Sequence, residues 1–392
     1  MIFSCKPQSE LTVRKVDILS DAQHWDSFFS NASQHHLNSE HLKFYIKNTT
    51  VNSFCFQILK QKQVVGQIYL QSATIPTSDL LQYASSKAAQ FCFLSFVGNL
   101  NVNCSLSFLV CGNIFKSNQA GYELLPEILP AEVFQALINF LENSQNEYPF
   151  VGLLLKDCSA EVAEFRGLLP YKKDLTMQLP LESKWLSIDD YVADLDKKYR
   201  NRYKKITKNF IGLAFQELSI DEIEQYSERI YDLYVGVTKK QDFKIGELKK
   251  SYFLEKKRLI NQKFKVYGVF KDGKMIAFSS HIFENTRQME IHYIGFDYEY
   301  NESYNLYFNI LFHGLAQAIS HRISVLELGR TAEVAKASLG AKPHYKINYL
   351  YFRKNRYQLS FKLGSKILKN NWEIELRNPF KDNTKVATLA DA

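Results

Sequence analysis

The run FKVYGVFKDGKMIAFSSHIFENTRQMEIHYIGF, residues 264–296, decides the fold. Its first two parts, Phe264–Phe270 and Met275–Phe283, are β-rich and meet at Lys271-Asp272-Gly273-Lys274. Asp-Gly between apolar runs is a strong hairpin signal. Gln288–Phe296 then sets Met289, Ile291 and Tyr293 against Glu290, His292 and Ile294, the period of two that predicts a third strand. Further out, Asn301 can cap a helix over Glu302–Ile319, where Leu306, Ile310, Leu311, Leu315 and Ile319 recur at helical spacing. Ile323–Leu328 reads as a short apolar strand. Thr331 opens a helix of one or two turns that Gly340 closes and Pro343 keeps closed, and Tyr345–Phe352 alternates once more as a closing strand.

The same order recurs nearer the N-terminus. Phe54–Leu59 and Val64–Gln71 make a hairpin around Lys60-Gln61-Lys62-Gln63, and Phe91–Val97 and Ser105–Cys111 are nearly continuous apolar runs of the kind that buried strands show. Pro130 at a first helical position begins Ala131–Leu141, with Val133, Phe134, Leu137, Ile138 and Leu141 on one stripe. Phe150–Leu155 is a strand, Ser159 caps a short helix that Gly167 and Pro170 end, and Asp174–Leu181 is a last strand. Ser159-Ala160-Glu161-Val162-Ala163 also lies beside Thr331-Ala332-Glu333-Val334-Ala335. These matches point to a duplicated domain, its first copy lengthened between Ile75 and Pro130; coincidence of common α/β packing is the alternative.

The chain has 392 residues, 46% of them apolar, enough for two or three domains with proper cores. Its net charge of +8 favours anionic partners. The six cysteines, Cys5, Cys55, Cys92, Cys104, Cys111 and Cys158, contain no C-x-x-C pair and read as reduced core thiols. His35, His36 and His41 lack a second ligand cluster, so no metal is expected. No signal peptide or transmembrane segment is apparent, and the expected location is the cytoplasm.

Between the copies, Ser187-Ile188-Asp189-Asp190 starts a helix over Tyr191–Asn209. Within it Lys197, Lys198, Arg200, Arg202, Lys204, Lys205 and Lys208 make seven of twelve residues basic. They form either a solvated linker helix or a docking surface for tRNA, carrier-bound pantetheine or a nucleotide. Leu213–Leu218 reads as a strand, Ser219 starts a capping box, and Glu222–Thr238 and Glu247–Asn261 read as two helices. The basic tail from Arg353 places Phe361, Leu363, Ile367 and Leu368 on one helix face, and residues after about Lys381 are expected to be disordered.

The order strand, two helices, three antiparallel strands, helix, strand, helix, strand resembles the GNAT acyltransferase fold, and the tandem copies resemble its FemABX and BioF2-like branch. The resemblance rests on Lys198-Tyr199-Arg200-Asn201-Arg202, Gly295-Phe296-Asp297, Leu328-Gly329-Arg330-Thr331, Lys336 and Leu339-Gly340-Ala341. It implies two tandem GNAT-like α/β domains with mixed, mostly antiparallel sheets flanked by helices. Their expected extents are a divergent N-terminal copy over 1–182, a basic linker helix over 183–210, the acyltransferase copy over 211–356 and a basic tail over 357–392. It implies an N-acyltransferase moving an acyl group from acyl-CoA or a carrier to a small-molecule or peptide amine, without a metal. Alternatives are aminoacyl transfer from tRNA, and a lapsed pair serving as a binding module.

In that fold a gap between the fourth and fifth strands takes the donor, and here it maps between Ile291–Phe296 and Ile323–Leu328. The resemblance then places Glu327 and His292 as catalytic groups, Glu290 beside them, and Arg330, Thr331, Lys336, Tyr304 and Asn305 as donor- or substrate-binding groups. The usual glycine-rich diphosphate loop is missing. Asp297–Ser303 holds three acids, no base and no glycine, and each carboxylate repels an anion by about 1 kcal/mol at 4 Å in water.

Overall fold

The computed structural model describes residues 11–28, 35–76, 105–158, 167–171, 175–240, 245–359, 362 and 377–381. The expected strand at Phe91–Val97, the helix after Ser159 and the tail beyond Lys381 lie outside the described residues. The chain is a mixed α/β protein with two mostly antiparallel sheets flanked by helices. Its contacts define two compact units that interleave in sequence. Unit 1 is Met1–Asp174, Ile245–Glu247 and Lys346–Trp372; unit 2 is Leu175–Lys244, Leu248–Tyr345 and Glu373–Ala392.

The strands are β1 (Leu11–Val16), β2 (Ser53–Lys60), β3 (Gln63–Pro76), β4 (Ser105–Cys111), β5 (Tyr122–Leu124), β6 (Gly152–Leu155), β7 (Leu169–Tyr171), β8 (Leu175–Pro180), β9 (Phe215–Glu217), β10 (Phe264–Lys271), β11 (Lys274–Phe283), β12 (Gln288–Phe296), β13 (Val325–Glu327), β14 (Lys342–Tyr345) and β15 (Asn348–Phe352). The helices are α1 (Ala22–Asp26), α2 (Ser39–Asn48), α3 (Pro130–Asn143), α4 (Ile188–Asp194), α5 (Lys197–Lys208), α6 (Ile220–Gln225), α7 (Ser227–Thr238), α8 (Tyr252–Ile260), α9 (Tyr298–Tyr304), α10 (Leu306–Ser320) and α11 (Glu333–Ala337).

Unit 1 holds the order β1-β2-β3-β4-β6-β15-β7, with β5 also on β3; unit 2 holds β9-β10-β11-β12-β13-β8-β14. Each sheet has one parallel pair, β4 with β6 and β12 with β13. The two orders correspond strand for strand, but the sixth strand of each, β15 or β8, comes from the stretch expected to finish the other copy. β8, expected to finish the first copy, pairs with β13 and β14 in unit 2. β15 pairs with β6 and β7 in unit 1. The strand expected over Tyr345–Phe352 forms as β15 from Asn348 onward, while Tyr345 ends β14 in the other sheet. Alternating apolar residues specify two buried faces and say nothing about which sheet buries them.

Both hairpins turn through two residues with positive φ, Gln61 (49°) and Lys62 (71°) in unit 1 and Asp272 (49°) and Gly273 (77°) in unit 2. That geometry matches the twist of the flanking strands. In unit 1, α3 buries Val133, Phe134, Leu137, Ile138 and Leu141 among Phe56, Ile58, Ile68 and Leu70, as its stripe predicts. In unit 2, Met289 and Ile291 of β12 pack with Leu311 and Leu315 of α10. α7 and α8 lie over β10, β11 and β12, and Phe253 of α8 meets Phe278 with ring centres 5.1 Å apart.

Three helices are broken where the sequence reading runs them through. The one expected over Glu302–Ile319 starts earlier, as α9, and breaks at Asn305, whose φ of 49° is left-handed. Asn301 lies inside α9 instead of capping it, and its Oδ1 accepts Tyr307 N–H at 2.9 Å in the first turn of the second piece, whose N-cap is Asn305. The helix expected over Glu222–Thr238 is two, α6 and α7. Tyr191–Asn209 is likewise split into α4 and α5, behind the capping box at Ser187 and Asp190. Among the described residues, no helix is long and apolar enough to cross a membrane.

Between β11 and α10 lie two imidazoles, His281 and His313, with ring centres 5.6 Å apart. Both nitrogens of His281 and Nδ1 of His313 have no hydrogen-bond partner among the described residues. Burial first, and then the neighbouring charges of His313, Lys265 and His321, hold His281 well below the ordinary imidazole range. Burial pushes His313 from 6.5 down to about 4. The unfolded chain thus binds more protons than the folded one between those values, so stability falls as the pH drops below 6.5. For His313 the loss reaches roughly 3 kcal/mol near pH 4. Glu327, raised by burial, works in the opposite direction over part of that range. His313→Phe keeps a ring against Phe215, now 4.1 Å from the imidazole, and should flatten the acid side of the stability curve in urea titrations from pH 7 to 4. A second test concerns Gly295, where an added Cβ would stand 2.4 Å from Phe278 and 2.5 Å from the α7 backbone at Leu233. Gly295→Ala should lower the urea midpoint by the equivalent of roughly 2 kcal/mol or more.

Candidate active site

β12 and β13 pair for only three residues, Gln288 with Val325, Met289 with Leu326 and Glu290 with Glu327. The chain after β13 then stays with β8: Leu328 N–H donates to Met177 O at 2.8 Å and Met177 N–H to Gly329 O at 3.0 Å. β12 continues along β11 to Phe296. No strand among the described residues pairs with its other edge beyond Glu290, so alternate backbone groups of Ile291–Phe296 face a fork between diverging strands.

A β-bulge sits at that fork. Ile291 opposes His281 and Ile294 opposes Ser279, leaving His292 and Tyr293 opposite Ser280 alone. The buried Ser280 hydroxyl accepts from Tyr293 N–H at 3.0 Å and donates to Tyr293 O at 3.1 Å, satisfying the groups that the bulge leaves out of the ladder. Glu290 and His292 share one face of β12. His292 Nδ1 lies 2.6 Å from Glu290 Oε1, and His292 Nε2 lies 2.8 Å from the Tyr252 hydroxyl of α8. With Nδ1–H donating to the carboxylate, the neutral ring presents Nε2 as an acceptor toward Tyr252. The His292 side chain is 1% exposed and that of Glu290 13%.

Glu327 faces Glu290 across the last pair of the fork. Its Oε2 accepts from the Thr176 hydroxyl at 3.0 Å and the Gln178 amide at 2.9 Å, both on β8, and its Oε1 from Gly329 N–H at 2.9 Å. Burial pushes its carboxyl up and the Glu290 charge adds to this, while the three hydrogen bonds oppose it. Lys336 does not pair with Glu327. Its Nζ donates to Gly329 O at 3.2 Å and to Arg330 O, and burial pushes it down to about 8. The turn so held is unusual, with Gly329, Thr331 and Ala332 all left-handed at φ 72°, 63° and 51°. A β-branched residue at such a φ is strained. Thr331, expected to cap α11, is at that strained position, and Ala332 is the N-cap.

Tyr304 and Asn305 contribute backbone to the corner between α9 and α10, where Asn309 Nδ2 donates to their carbonyls at 2.9 and 3.2 Å. The basic helix forms as α5. Lys197, Lys198, Lys204, Lys205 and Lys208 are exposed, none of its seven cations has an ion pair among the described residues, and Arg202 lies 4.5 Å from the Phe308 ring. Sequence reasoning missed Tyr252, Ser280, Thr176 and Gln178. Thr176 and Gln178 alternate with Leu175, Met177 and Leu179, a usable signal once β8 is known to join this sheet. Nothing local marked Tyr252.

No family model matches the chain, and no curated protein matches it. Among solved structures it is similar to FemX, at 10% identity with 90% of this chain and 99% of that one covered and a TM-score of 0.47. It is similar also to the C-terminal domain of a putative lysylphosphatidylglycerol synthetase from Agrobacterium fabrum, at 12% identity, 90% and 97% coverage and a TM-score of 0.47. A tandem GNAT protein from the clavulanic acid biosynthesis pathway gives 11% identity, 87% and 98% coverage and a TM-score of 0.47.

Removing the Glu327 carboxylate leaves Gly329 N–H, the Thr176 hydroxyl and the Gln178 amide without their acceptor. Glu327→Ala should cost roughly 2–4 kcal/mol in chemical denaturation, and Glu327→Gln, which keeps one oxygen, clearly less.

Proposed function

We propose that unit 2 is an N-acyltransferase acting at the fork between β12 and β13. The observation that carries the reading is the edge of Ile291–Phe296 on which no strand pairs among the described residues, ending at the Glu290–His292 pair. An extended donor arm can add to that edge as a strand would, its amide groups meeting backbone N–H and C=O. A backbone N–H on that edge is also a suitable donor to the oxyanion that forms when an amine attacks the acyl carbon.

In this reading the amine nitrogen bonds to the acyl carbon, and its proton passes to His292 Nε2 through the Tyr252 hydroxyl. Glu290 holds Nδ1–H and stabilises the imidazolium. The bond from the acyl carbon to the donor breaks, and the thiolate, or the alkoxide of an ester donor, leaves and takes the proton back from the imidazolium. Glu327 holds the Gly329–Arg330 turn against β8 at the mouth, with Lys336 beneath it. Arg330 and Thr331 then flank the incoming substrate, and Tyr304 and Asn305 shape the corner where the donor arm enters. The donor is an acyl-CoA or a carrier-linked acyl group. α5 favours a second reading, aminoacyl transfer from tRNA, because its unpaired cations suit a phosphodiester backbone.

His292→Ala should lower kcat at least ~100-fold for acyl transfer to an amine, with far less change in donor binding. Glu290→Gln should lower it less and change the pH dependence of kcat/KM. Unchanged rates in both variants would remove the assignment.

A further inference from the structure

The N-terminus of α10 is where a helix following β12 would receive a donor's phosphate, and here it is already used. Asn301 Oδ1 holds Tyr307 N–H, and α9 with its acids Glu299 and Glu302 runs directly into it. A different recess is bounded by the continuations of both forking strands: Phe308 in the first turn of α10, after β12, and Ala332–Ala335 of the α11 turn, after β13. Arg202 of α5 and Arg377 complete the lining, and the recess holds about 370 Å³, the size range of small-ligand sites.

The geometry points to this recess as the site for the phosphate end of the donor, a phosphate ester on a pantetheine-type arm. The inference rests on the acyl-transfer reading above and adds where the donor's charge is held. Arg202 has no ion pair among the described residues and its guanidinium carbon lies 4.5 Å from the centre of the Phe308 ring, and a guanidinium offers a planar fork of donors suited to bidentate contact with phosphate oxygens. Arg377 supplies a second guanidinium from a separate segment. Glu333 is the one acid in the lining, beside the two arginines. Its charge also reaches Tyr307, whose buried hydroxyl has no partner among the described residues. Arg202 is thereby assigned separately from the other six cations of α5, which lie outside the lining.

The test is equilibrium titration of the full chain with coenzyme A and with pantetheine, which lacks phosphate. Arg202→Ala and Arg377→Ala should each weaken coenzyme A at least ten-fold while leaving pantetheine unchanged. Glu333→Gln should tighten coenzyme A, and Lys204→Ala should leave it unchanged, with circular dichroism confirming that each variant is folded. Equal coenzyme A affinity in wild type and both arginine variants overturns the inference, as does a wild-type chain that does not bind coenzyme A. Arginine dependence seen only with aminoacyl-RNA also overturns it, in favour of an RNA phosphate. Acetyl transfer from acetyl-pantetheine to an amine reads the transferase function independently, because that donor carries no phosphate to place.

Discussion

The three-residue pairing of β12 with β13 is the constraint on which the rest of unit 2 depends. A buried strand must satisfy its backbone groups on both edges, and beyond Glu290 β11 is the one strand that pairs with β12 among the described residues. The divergence has a cause in β8. Leu328 and Gly329 keep their backbone bonds to Met177, so the chain leaves β12 when β13 ends. Thr176 and Gln178 then fix the Glu327 carboxylate from the same strand. The strand exchanged from the first copy thereby sets both the opening of the fork and the environment of the acid beside it.

Polar groups around the fork are satisfied in a way that resists collapse. Ser280 takes up both backbone groups of Tyr293 at the bulge, so β11 and β12 tolerate an extra residue without an orphaned amide there. Lys336 is held as a donor to the two carbonyls of a strained turn rather than as the counter-ion of Glu327. Glu290, Glu327 and Lys336 are consequently three ionisable groups around the fork with different roles. One orients an imidazole, one anchors a turn to β8, and one supports that turn from beneath.

The sequence made the elements of this fold legible where period and turn chemistry agree. β12 has the bounds its alternation predicts, the Asp272-Gly273 hairpin forms as read, and both capping boxes, at Ser187 and Ser219, are present. What was illegible is long-range. Leu175–Pro180 carries the same apolar alternation whichever sheet it joins, so its place beside β13 was hidden, and with it Thr176 and Gln178. The break at Asn305 was hidden because Asn is acceptable both within a helix and in the left-handed region. Glu290 and His292 could be placed on one face from their spacing alone, whereas the contact of His292 with Tyr252 needs α8 to fold across β12, which no spacing encodes.

Hydrogen exchange across β12, free and with a non-transferable acyl-pantetheine thioether, tests the fork most directly. The alternate amides of residues 291–296 that point away from β11 should exchange rapidly in the free chain and become protected when the thioether binds, while those bonded to β11 stay protected throughout. Slow exchange of both sets in the free chain would mean that β12 is paired on both edges, and would contradict a donor-binding fork.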